Sequence, residues 1–158
     1  CVITENEIKE LVNFAKQDER FGVAFYGALS QIRHKVYLES CGFTVKVSDS
    51  DNFGAPDFVV NGKTMEHKKA RNKTLSDGTL IAEFQKSRGK VPDRLYNSDF
   101  SDFVSVDVSE HTKKKNDYRY ARVSDLKEHH KHKGKISSTQ KINSAWVSDL
   151  KILLEKAA

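Results

Sequence analysis

Three side chains in one short segment have the types and spacing for phosphate chemistry. Asp57 follows Pro56, Glu66 comes nine residues later, and Lys68 lies two beyond that. Between the carboxylates runs Phe58-Val59-Val60-Asn61-Gly62-Lys63-Thr64-Met65. Asn-Gly between β-formers is the preferred two-residue hairpin turn, because both central positions of a type I′ turn need positive φ. Counting outward from the turn pairs Val60 with Lys63, Val59 with Thr64, Phe58 with Met65 and Asp57 with Glu66. The two carboxylates then face each other with Cβ atoms about 4.5–5.5 Å apart, and strand alternation puts Lys68 on the same face. Like charges so opposed destabilise a sheet unless a cation lies between them. Mg2+ suits that place, since it takes one or two carboxylates plus substrate phosphate oxygens and keeps several waters. Such an ion acidifies bound water and offsets charge on a phosphate. Lys68 would orient or deprotonate that water, or stabilise the pentavalent transition state. The plain alternative is a solvated surface hairpin, which accounts for Pro56 and the turn but not for three catalytic-type side chains on one face.

The elements that must position these residues are legible on either side. Thr4 and Glu7 fit a capping box, with Ile3 and Ile8 as a hydrophobic staple, so a first helix starts here and ends near Asp18-Glu19-Arg20. Phe25, Leu29, Ile32 and Val36 step by four and three toward Cys41-Gly42, which predicts a second helix closed by glycine. Alternation from Phe43 to Val47 predicts a strand. Beyond the hairpin, the spacing predicts a helix from about Thr79 to Arg88, strands at 103–108 and 118–123, a short helix capped by Ser124, and a last helix from about 143 to 157 with Trp146 on its apolar face. Alternating helices and strands of this kind make an α/β fold with a mixed sheet.

Composition narrows the partner. The chain has 158 residues, 37% hydrophobic and 31% charged, which suits one domain with a core and a charged surface. No apolar run approaches a membrane span and no signal-peptide pattern opens the chain, so no membrane partner and a cytoplasmic location are expected. Two cysteines, Cys1 and Cys41, give neither a disulfide framework nor a metal-binding spacing. The net charge of +5 is unevenly spread: residues 1–62 carry 6 basic and 9 acidic side chains, residues 63–158 carry 21 and 13. A basic excess that begins at the hairpin raises the expectation of a polyanionic partner. Lys69, Arg71 and Lys73 are placed to contact a phosphate backbone. The run His129-His130-Lys131-His132-Lys133 would add to that surface rather than bind zinc, since it lacks cysteines and finger spacing.

At Pro56-Asp57, eight intervening residues and Glu66-His67-Lys68, the sequence resembles the PD-(D/E)XK nuclease superfamily, the restriction-endonuclease-like fold. The resemblance covers about residues 22–125 and implies an αβββαβ core with a mixed central sheet flanked by helices, the motif lying on the second and third strands. Extra helices at both ends would complete a single nuclease domain over 1–158. It implies that Asp57 and Glu66 ligate Mg2+, or Mn2+ in its stead, and that Lys68 is the catalytic lysine. Where the family often carries a glutamate on the helix before the first strand, this chain has Gln31, which can hydrogen-bond but supplies no charge. The segment from Glu83 to Arg88 looks like the corresponding region of small restriction-type and intron-associated nucleases. On a helix, Gln85 and Arg88 would share a face, with Gln85 near the site and Lys86 and Arg88 on phosphates. The implied function is site-specific cleavage of double-stranded DNA, of homing or restriction type, in a prokaryotic or phage setting, by a homodimer whose two sites cut two strands. The rivals are a structure-specific nuclease such as a Holliday-junction resolvase and a catalytically silent DNA-binding module of the same fold.

Overall fold

A computed structural model describes residues 2–48, 55–86 and 89–156. Two helices lead, α1 (Glu5–Gln17) and α2 (Glu19–Ser40). The predicted cap is present: Thr4 Oγ1 accepts the Glu7 N–H at 3.2 Å. Asp18 serves both helices, its own N–H closing α1 on Phe14 O and its carboxylate accepting the Phe21 N–H of α2 at 2.8 Å. Strands β1 (Val45–Val47), β2 (Phe58–Val60) and β3 (Lys63–Lys69) follow, then β4 (Leu80–Glu83), β5 (Phe103–Asp107), the one-turn α3 (Ser109–Thr112), β6 (Tyr118–Arg122), β7 (Thr139–Ile142) and α4 (Leu150–Lys156).

The main sheet has the order β1-β2-β3-β5-β6, and β4 pairs with β7 in a separate two-stranded sheet. Neighbours in the main sheet are antiparallel except β3 and β5, so the sheet is mixed, as expected. The hairpin register is the one counted from Asn61-Gly62, with Val60 opposite Lys63 and Phe58 opposite Met65. Both turn residues have positive φ, 47° and 81°. Alternation along β5 sorts the interior into two layers. Val104 and Val106 pack with Ala82, Phe84 and Trp146 toward the β4–β7 sheet. Phe103 packs with Leu38, Phe58, Tyr120 and Leu150 toward α2 and α4.

Several predicted elements differ. The helix expected from Thr79 to Arg88 is instead β4, followed by an isolated bridge between Gln85 and Leu95. Leu80, Ala82 and Phe84 carry a period-two pattern that feeds one core layer, and the partner strand β7 lies some sixty residues downstream, beyond any local signal. The short helix at Ser124 is a single 3-10 turn, Val123–Asp125. The last helix starts at Leu150 rather than 143, and Trp146 is buried in a turn before it. Among the described residues, no helix is long and apolar enough to cross a membrane.

Candidate active site

The β2–β3 ladder stops at Phe58–Met65, one pair short of Asp57 and Glu66. β3 continues to Lys69, paired there only with β5, so its other edge is open where Asp57 sits. The Asp57 carboxylate fills that edge: its Oδ2 accepts the His67 N–H at 2.9 Å, replacing the backbone carbonyl that a longer β2 would have supplied. Glu66 and Lys68 point the same way, Lys68 Nζ lying 3.4 Å from Glu66 Oε1. Tyr96 donates its hydroxyl to the same Glu66 oxygen at 3.3 Å, and the Lys68 ammonium lies 5.8 Å from the Tyr96 ring centre. Gln31 of α2, Asp57, Glu66, Lys68, Arg71 and Lys73 all line one open cleft of ≈ 1240 Å³.

The electrostatics are those of crowded acids. Burial, and then the Asp57 charge, push Glu66 up to about 7 against the pull of Lys68 and Tyr96. Asp57 is also raised, by burial, although the His67 N–H, the Lys68 ammonium and the Gln31 amide pull it down. Burial raises the Tyr96 hydroxyl as well, which keeps it a donor to Glu66. Among the described residues no three His, Cys, Asp or Glu side chains converge. Among the described residues the carboxylates of the cleft's centre are Asp57 and Glu66, a donor number that a hard divalent cation uses when phosphate oxygens and water complete its shell.

The other predicted residues fare unevenly. Lys69 lines the cleft but its ammonium is paired with Glu110 at 2.8 Å. Arg71 is paired with Glu83 at 2.6 Å. Lys73 is exposed in the cleft wall. Gln85 does not line the cleft; its amide donates to Glu83 Oε1, and with β4 extended its expected helical partnership with Arg88 is gone. Outside the cleft wall, Lys86 donates its backbone N–H to Arg94 O at 2.8 Å and its own carbonyl accepts from Arg94 Nε at 3.1 Å, and Arg88 lies outside the described residues. In the histidine-rich run, His129 Nδ1 accepts the N–H groups of Lys131 and His132 at 3.1 and 3.2 Å, which ties that nitrogen into the loop.

Sequence reasoning missed Tyr96 and the buried pair His34 and His67, whose rings stack at 4.5 Å between α2 and β3. Burial holds both imidazoles below their usual range, His67 at about 4, with the nearby His67 and Lys68 respectively adding to the effect and Asp107 opposing it at His67. Ser105, a polar residue between Val104 and Val106 on a largely buried strand, was the available signal.

No family model and no curated protein matches the chain. The fold is shared with a solved structure of a bacterial homing endonuclease, I-Ssp6803I, with a TM-score of 0.55 and 16% identity over 83% of this chain and 92% of that one.

Proposed function

We propose that this protein is a divalent-metal-dependent DNA endonuclease that cuts double-stranded DNA at specific sites. The observation that carries the reading is a carboxylate pair, half-buried Asp57 and buried Glu66, with Lys68 at the open edge of β3, on a fold shared with a homing endonuclease. Asp57 and Glu66 would hold Mg2+, and Mn2+ would serve in its place. The ion would offset charge on the scissile phosphate and acidify bound water. Lys68 places a cation beside Glu66, where it stabilises charge that develops on the phosphoryl oxygens. Tyr96 fixes one Glu66 oxygen, leaving the other to the cleft. The Gln31 amide lies against Asp57 and orients it without adding charge. One small chain carries one such site, so a homodimer would cut both strands.

Nicking of supercoiled plasmid with and without Mg2+, beside Lys68→Ala, tests the reading. Metal-dependent cleavage lost in Lys68→Ala is expected; equal cleavage by both proteins, or cleavage without metal, removes the mechanism. Cutting of four-way junctions alone would replace site-specific cleavage by junction resolution, and DNA binding with no cutting would leave a binding module.

A further inference from the structure

The buried polar groups beneath the cleft, ending at half-buried Asp107, form one chain that the proposed chemistry does not use. Ser30 and His34 sit on the inner face of α2, His67 on β3, Ser105 and Asp107 on β5, and Tyr120 on β6. Asp107 Oδ2 accepts from the Ser30 hydroxyl at 2.6 Å. Ser30 Oγ lies 2.9 Å from His67 Nε2, and His67 Nδ1 2.8 Å from Ser105 Oγ. Ser105 Oγ then reaches His34 Nδ1 at 3.5 Å, and His34 Nε2 reaches the Tyr120 hydroxyl at 2.9 Å. A hydroxyl has one proton, and that of Ser30 goes to Asp107. His67 must therefore donate from Nε2 to Ser30 and accept at Nδ1 from Ser105. Ser105 in turn accepts from His34 Nδ1–H, and His34 accepts from Tyr120, so every proton points toward Asp107. The same direction removes Ser30 as a nucleophile: the imidazole beside it is a donor, and the residue is 4% exposed.

The chain acts on a helix whose rotation is set by more than apolar burial. On its inner face α2 buries Ser30 and His34 beside Leu38, while Val23, Ile32 and Val36 are 73%, 61% and 60% exposed, so polar side chains occupy buried positions while several apolar ones face solvent. Directional hydrogen bonds in a dry interior specify one setting instead. His67 is gripped on both sides: its ring by Ser30 and Ser105, its backbone N–H by Asp57. Gln31 follows Ser30 directly and lines the cleft with Asp57. We propose that the Ser30–His67–Asp107 bridge is a positioning device, which locks α2 against β3 and β5 and so sets the Gln31 amide against the Asp57 carboxylate. The proposal deepens the endonuclease reading and rests on it.

A double-mutant cycle with Ser30→Ala and Gln31→Ala tests it, read by plasmid cleavage, Mn2+ calorimetry and NMR. Ser30→Ala lowers kcat about tenfold with KM for DNA unchanged, as a misplaced positioning group does, and weakens Mn2+ binding. In the Gln31→Ala background the same substitution adds less than about twofold, because coupled residues are not additive. Equal losses in both backgrounds overturn the proposal. The Gln31 side-chain amide resonances are read without cleavage: Ser30→Ala moves them, and amides that stay put overturn the proposal even if activity falls. Imidazole 15N shifts should give the Nε2–H tautomer for His67 and Nδ1–H for His34; the opposite pair overturns the wiring. A wild-type protein that cuts nothing removes the endonuclease reading, while the amide shifts still decide the bridge.

Discussion

Adjacent residues of β3 carry two opposite kinds of buried polarity. His67 faces α2, and each of its ring nitrogens has a partner within 2.9 Å. Glu66 faces the cleft with a carboxylate raised to about 7 by burial and by Asp57, and its contacts to Lys68 and Tyr96 are long, 3.4 and 3.3 Å. The first arrangement is closed and holds the fold; the second leaves negative charge uncompensated, which suits a site built for a charged ligand. The closed polar contacts and the candidate site are thus divided between the two faces of one strand.

The sharpest way to break this contrast is to neutralise each face in turn. Glu66→Gln and Lys68→Ala should each lower plasmid cleavage by about 10²–10³-fold while leaving the melting temperature the same or, for Glu66→Gln, higher, since a repelling charge is gone. His34→Ala should do the reverse in kind, costing about 2–4 kcal/mol in denaturant unfolding, because it opens a cavity and strands the Tyr120 hydroxyl. If Glu66→Gln destabilises as much as His34→Ala, the division fails. At the helix crossing, Gly22→Ala should cost about 1–3 kcal/mol, because a Cβ there runs into the backbone carbonyl of Ala15.

Acid titration sharpens the contrast further. His67 has its folded pKa lowered to about 4 from 6.5, so between those values the unfolded chain binds more protons and stability falls as pH falls. Glu66 is raised to about 7 from 4.5, so the folded chain binds more protons and stability falls as pH rises. The two slopes oppose each other between about pH 4.5 and 6.5, at up to about 1.4 kcal/mol per pH unit each. Glu66→Gln should therefore lose stability on acidification from pH 7 to 5 more steeply than wild type; parallel thermal-denaturation profiles would refute the assignment. The smallest effect is electrostatic: Asp57→Asn should lower the Glu66 midpoint and Lys68→Met raise it, followed by carboxyl 13C shifts, with no movement in either variant counting against a shared site.

What the sequence discloses follows from the range of the interactions. The hairpin register comes from two turn residues and simple alternation, so the neighbourhood of Asp57, Glu66 and Lys68 can be counted from the residues alone. The caps of α1 and the end of α2 are likewise local. The 79–88 segment reads as a helix because its strand character depends on β7, and Gln85 is carried out of the site with it. Tyr96, His34 and Ser30 give no sign because their roles exist only through partners 30 to 86 residues away. Arg71 and Lys69 are located by their spacing but their carboxylate partners, on β4 and α3, are not, since ion pairs between separate elements leave no periodicity to read.

The short turn at Asn61-Gly62 has a kinetic consequence. Asp57 and Glu66 are joined by a loop that closes at little entropic cost, whereas the Ser30 bonds to His67 and Asp107 span 37 and 77 residues, and β3 meets β5 only after residues 70–102 have been threaded between them. Contacts of long sequence separation form late. The nascent chain would thus bring its two acids together early and acquire their alignment last, so a partly folded molecule would carry both carboxylates without the geometry of the finished cleft.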